Sequence, residues 1–72
     1  MFKLYEVYSD WDVSKGKYIS RHKTKELAEK RMHAEANKRM NYVHYYRYNF
    51  IDDKTIIIDF GAYTKFLAIV EE

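Results

Sequence analysis

Ile56-Ile57-Ile58 and Phe66-Leu67-Ala68-Ile69-Val70 are apolar at consecutive positions rather than alternate ones. A strand with one face in water alternates polar and apolar side chains, because successive residues point to opposite faces. These two runs therefore need cover on both faces. Only one other segment has the pattern of a covering element, and it is a helix.

That helix is predicted over residues 25–40. Ala28, Met32, Ala36 and Met40 recur every four residues, and such a row drifts ~40° per step into a broad apolar stripe. Thr24 suits the N-cap, its hydroxyl accepting from an amide one turn in. Leu27 stands where Glu or Gln would complete a capping box. Glu26 with Lys30, and Glu35 with Arg39, have the favourable four-residue spacing, each pair being worth ~0.3–0.5 kcal/mol. Asn41 ends the pattern as a C-cap.

Strand patterns flank it. Residues 2–8 carry Phe2, Leu4 and Tyr8 on one parity and Tyr5 and Val7 on the other. Ser14-Lys15-Gly16-Lys17 reads as a turn, since Gly16 can take positive φ freely, and Lys17-Tyr18-Ile19-Ser20 as a short returning strand. Residues 42–51 alternate Tyr42, His44, Tyr46, Tyr48 and Phe50 against Val43, Tyr45, Arg47, Asn49 and Ile51. Asp52-Asp53-Lys54 is a turn, residues 55–60 and 65–70 are strands, and Gly61 breaks the run between them. The order is β(β)αβββ. The expected fold is a single α+β domain over 1–72, with one α-helix packed on a mostly antiparallel sheet of three to four strands. Its core is expected to hold Leu4, Ala28, Met32, Ala36, Ile56, Ile58, Phe60, Phe66, Ala68 and Val70.

One helix cannot cover both faces of such a sheet. Contiguous apolar patches beyond a few hundred Å² usually mark interfaces, so a homodimer is expected. It would bury the second sheet face or continue the sheet through an edge strand. The expected interface is Ile57, Leu67 and Ile69, with Tyr45 at the rim. The alternative is that Trp11, Val13 and Ile19 fold over that face within one chain. Two basic helices brought together would repel within a Debye length of ~8 Å, so the helices should point outward. The 72 residues contain no cysteine, which excludes disulfides and thiolate zinc sites and leaves a partner subunit as the usual support for a small core.

Charge is unevenly placed: nine basic and three acidic residues lie between Lys15 and Arg39. Lys23, Lys30, Arg31, Lys38 and Arg39 form a candidate basic partner surface. Attraction to phosphates would make the basic turn and helix 15–39 a nucleic-acid-binding element; an ordinary solvated helix face explains the same residues. Tyrosines beside His44 and Arg47 resemble a base-stacking row, but core and subunit contact explain them better. His22, His33 and His44 are eleven residues apart and form no ligand pair at helical spacing; Glu29 with His33 is half a metal site. Asp52 and Asp53 are turn residues, and Asp59 has no cleft-forming partner. Ser9, Ser14 and Ser20 lack a histidine–carboxylate pair, and there is no Gly-rich phosphate loop. No enzyme activity, cofactor or metal is expected. No apolar run reaches the ~18 residues of a membrane span, and Met1-Phe2-Lys3-Leu4 runs straight into patterned sequence without a leader, so a cytoplasmic location is expected.

The Lys/Arg-rich helix from Thr24 to Met40, followed by Ile56-Ile57-Ile58-Asp59-Phe60-Gly61 and Phe66-Leu67-Ala68-Ile69-Val70-Glu71, resembles the YopT-like family of small Bacillus phage and prophage proteins, which have no established function. The resemblance covers nearly the whole chain. It implies a homodimer with one helix and three strands per subunit, and it supplies no site residues. Together these features point to a small non-enzymatic binding or regulatory protein whose partners are a second copy and an unidentified macromolecule, a host protein if the resemblance holds. Nucleic acid is the alternative partner.

Overall fold

The computed structural model describes all 72 residues. One helix lies on an antiparallel sheet, in the order β1 (Phe2–Val7), β2 (Lys17–His22), α1 (Lys25–Arg39), β3 (Arg47–Phe50), β4 (Thr55–Asp59) and β5 (Phe66–Glu71), with one 3-10 turn at Val13–Lys15. The α+β class is as expected. The sheet has five strands instead of three or four: every strand segment of the β(β)αβββ order joins it, including the one after Gly16, which returns beside β1 and runs on to His22. Across the sheet the order is β2-β1-β5-β4-β3, so β2 and β3 are its edges.

The helix forms where its stripe and cap predict. The Thr24 hydroxyl accepts from the Leu27 amide at 3.2 Å, and Ala28, Met32 and Ala36 are fully buried. It ends at Arg39. Met40, not Asn41, is the C-cap, in extended conformation, with its amide donating to the Ala36 carbonyl. The helix packs against β1, β2 and β5. The core between them holds Leu4, Ile56, Ile58, Phe60, Leu67 and Ile69 with the three helix residues.

The face assignment within β5 differs from expectation. Ile56 pairs with Ile69, Ile57 with Ala68 and Ile58 with Leu67, so even-numbered residues of β4 face odd-numbered residues of β5. Leu67 and Ile69 therefore lie under the helix, and Phe66, Ala68 and Val70 join Ile57 on the opposite face. Hairpin register alone decides this, and a one-residue change would invert the strand. Phe66 and Val70 are only half-buried, whereas Ala68 is buried on the face away from the helix.

That second face is partly roofed by the chain itself. Val7, Ile57 and Ala68 are fully buried there, with Tyr5, Val13, Phe66 and Val70 packed around them. The connection from β1 to β2 folds over it, and the Trp11 ring meets Phe66 edge-on at 5.6 Å. Of the three residues considered for intrachain cover, Trp11 and Val13 supply it. Ile19 packs on the helix side.

The two glycines serve different needs. Gly16 is extended (φ −81), not left-handed. Its reason is proximity: a Cβ there would lie 2.5 Å from the Glu6 carbonyl oxygen. Gly61 does adopt positive φ, at +94, where a side chain would strain the backbone. Trp11 is the one other residue at positive φ, at 54.

Candidate functional site

A carboxylate hub joins the helix to the sheet. Glu35 is buried on α1 and Glu6 on β1, and Arg39 reaches both: its Nε donates to Glu6 Oε1 at 2.7 Å and its Nη1 to Glu35 Oε1 at 2.8 Å. Arg31 Nε donates to Glu35 Oε2 at 2.8 Å, and Lys38 Nζ approaches the same oxygen at 3.4 Å. The Tyr8 hydroxyl donates to Glu6 Oε2. Hydrogen bonds from Arg39 and Arg31 hold the Glu35 carboxyl at about 2, well under its ordinary 4.5. Burial would raise Glu6, but the Arg39 and Tyr8 hydrogen bonds outweigh it and keep that carboxyl lowered. Every buried side-chain polar atom has a partner, so no atom of the hub is left buried and unpaired.

The hub redefines the basic surface. Arg31, Lys38 and Arg39, three of the five cations assigned to it, converge on Glu35. Arg39 has a side chain only 17% exposed and is not a partner contact: it is a tether between helix and β1. Lys23 and Lys30 are exposed and make no ion pair. The expected Glu26–Lys30 pair does not form.

The residues assigned to a subunit interface divide in the same way. Ile57, Leu67 and Ile69 are all buried within the single chain, and the last two lie under the helix, so none of the three is available to a partner. Tyr45 is 48% exposed. It neighbours the surface that does remain open.

That surface is the edge at β3. The alternating pattern over 42–51 predicts ten strand residues, but only Arg47–Phe50 form β3. The reason is partner length: β4 ends at Asp59, opposite Arg47, and residues 42–46 have no backbone ladder beside them. The Ile51 amide donates to the Thr55 carbonyl at 3.0 Å. By antiparallel alternation Asn49 and Arg47 turn their backbone groups to β4, and Tyr48 and Phe50 turn theirs outward. Phe50 is 69% exposed and Ile51 51%, with Lys25 Nζ 5.8 Å from the Phe50 ring centroid. Exposed Tyr42 and Tyr45 belong to the segment before β3 and exposed Tyr63 to the β4–β5 connection, and Arg47 lies over the Tyr45 ring at 6.0 Å.

The three histidines, Asp52 and Asp59 are used locally. His22 shares a hydrogen bond with Ser20, His33 meets the Tyr46 ring edge-on at 4.3 Å, and His44 lies against Tyr42. Asp52 accepts from the Lys54 amide and Asp59 from the Gly61 amide, which is turn chemistry. No three His, Asp or Glu side chains converge as a metal site would need. The larger depression, about 630 Å³, is an open hollow between the Asp52–Thr55 turn and the end of β5. No helix is long and apolar enough to cross a membrane.

No protein-family model matches the chain, and neither does any curated protein or solved structure. Two features escaped sequence reasoning. Glu6 lies on the same parity as Phe2 and Leu4, so an acid in the apolar register of β1 signalled a buried partner. Phe50 and Ile51 signalled an open edge only once β3 was known to be the last strand of the sheet.

Proposed function

We propose that this protein is a non-enzymatic binding protein that accepts an extended strand of another protein chain along β3. The observation that carries this reading is the coincidence at one edge of outward-facing backbone groups and exposed apolar side chains, Phe50, Ile51 and Tyr45. Strand addition draws affinity from main-chain hydrogen bonds and selectivity from alternate side chains, and both are on offer there. A regulatory role against a host protein, a phage or prophage origin with the YopT-like resemblance, and a cytoplasmic location belong to the same proposal. The nucleic-acid alternative has less behind it, because Arg31, Lys38 and Arg39 are engaged by carboxylates.

Selection from a random peptide display library, followed by amide chemical-shift mapping of the hits, tests this. Hits are expected to be extended, alternating sequences that shift amides in 45–51. Hits that instead shift the Lys23–Lys30 region, or a DNA or RNA gel shift that survives moderate salt, would overturn it.

A further inference from the structure

We infer that the strand seated on β3 is β3 of a second copy, paired antiparallel about a two-fold axis at Tyr48, so that two sheets become one; this rests on the strand-accepting role above. The two edges of the sheet differ in how they deter pairing. β2 carries Lys17 and Arg21 and has an irregularity opposite Leu4 and Tyr5, and charge and bulges are the usual protection of an edge. β3 has only Arg47, is regular, and exposes Phe50.

Register follows from the chemistry of the run. Tyr48 and Phe50 turn their backbone groups outward, and a strand extended by one residue would add Tyr46 to them by the same alternation. An axis at Tyr48 makes the Tyr48–Tyr48 and Tyr46–Phe50 pairs the hydrogen-bonded ones. Arg47 then faces Asn49 of the second copy, and half-exposed Tyr45 comes opposite half-exposed Ile51, so apolar meets apolar and no like charges meet. An axis at Arg47 would set two guanidiniums face to face, which is unfavourable across a strand pair. An axis at Tyr46 would draw Val43 into the strand and away from the core it packs against. The Tyr48 register uses Arg47–Phe50 as they stand and lengthens the strand only by Tyr46 and Tyr45.

The surface gained is modest. The exposed parts of Tyr45, Phe50 and Ile51 come to roughly 300 Å² per protomer, so with the backbone strip the pair stays below ~1,200 Å² in total, the weak end of specific interfaces. A weak, reversible dimer is expected, populated toward the high end of the concentration range tested.

Sedimentation equilibrium from about 5 to 500 μM, with amide hydrogen exchange on the same samples, tests this. The unaltered protein is expected to dimerise, with the Tyr48 and Phe50 amides protected only at the high-concentration end and the edge amides of β2 unchanged. Asn49→Asp, which sets an acid opposite Arg47, is expected to tighten the dimer about threefold to tenfold; Asn49→Lys is expected to weaken it by at least as much. A monomer across the whole range overturns the inference, as does a dimer whose new protection lies on β2 or under Trp11. A monomer whose selected peptides still map to β3 overturns the second copy as occupant and leaves the strand-accepting role standing. The exchange pattern of the unaltered protein decides the matter even if an Asn49 variant fails to fold.

Discussion

The β2 side of the molecule is tied down and the β3 side is not. β2 lies beside β1, where Glu6 is gripped by Arg39 from the helix, and the β1–β2 connection wraps back over the sheet to lay Trp11 on Phe66. β3 has one neighbour, β4, and the chain leading into it, residues 42–46, has no ladder at all. Both strands end the same sheet and leave comparable backbone groups unpaired. The difference is that one edge sets exposed Tyr18 between Lys17 and Arg21 and is broken by an irregularity, while the other is regular and presents Phe50 and Ile51 with Arg47 as its one cation. Edges of a sheet need protection against association; where a protein protects only one of two, the unguarded one is the natural place for a partner.

The sharpest way to break this contrast is to cut the tether. Arg39→Met leaves the buried Glu6 and Glu35 carboxylates without their shared cation, and removing one partner of a buried ionic group costs ~3–5 kcal/mol. A chain of this size has ~4–11 kcal/mol in total, so the variant should melt at much lower temperature or fail to fold. Phe50→Ala at the open edge should move the denaturation midpoint by no more than ~0.5 kcal/mol. Equal losses at the two sites would show that the β2 side is not the better anchored.

Acid tests the same tether without mutation. The folded Glu35 carboxyl, at about 2, lies under its ordinary 4.5, so its stabilisation is complete above pH 4.5 and drains away as pH falls toward 2. The shift corresponds to on the order of 3 kcal/mol, and the lowered Glu6 acts in the same direction. Urea midpoints measured between pH 6 and 2.5 should fall steeply below 4.5, and the fall should be shallower in Glu35→Gln.

A smaller effect is expected at the hairpin. Gly16→Ala sets a methyl 2.5 Å from the Glu6 carbonyl oxygen and 2.9 Å from Val7 Cγ1, and such overpacking costs ~1–3 kcal/mol. Exchange protection should drop in β1 and β2 and hold in β3 and β4. A small change is also expected for Lys30→Glu with Lys38→Glu. Lys38 is largely exposed and its bond to Glu35 is long, so stability should shift by less than ~1 kcal/mol and self-association should be unaffected. Loss of association in this variant would put the helix, not β3, at the interface.

These outcomes also separate what was legible in the sequence from what was not. The helix, its Thr24 cap, the turn at Asp52–Lys54 and the α+β order all follow from periodicity and local hydrogen-bonding chemistry. So does the Glu35–Arg39 pair, since four-residue spacing suffices to place it. Its strength was underestimated, because an exposed pair of ~0.3–0.5 kcal/mol is a different object from one buried against Glu6, thirty-three residues away from Arg39 in the chain.

Ile57, Leu67 and Ile69 mark where local information stops. The sequence determines that β4 and β5 are apolar on both parities and need two-sided cover. It does not determine which parity of β5 accompanies Ile57, because that is set by the register of the hairpin across residues 60–65, a non-local pairing with no local signature. The cover itself was equally undetermined: Trp11 and Val13 reach the second face only because β1 lies in the interior of the sheet, between β2 and β5. Helix and turn chemistry is written in neighbouring residues. Burial and edge exposure depend on which strands lie side by side, and only the tertiary structure decides that.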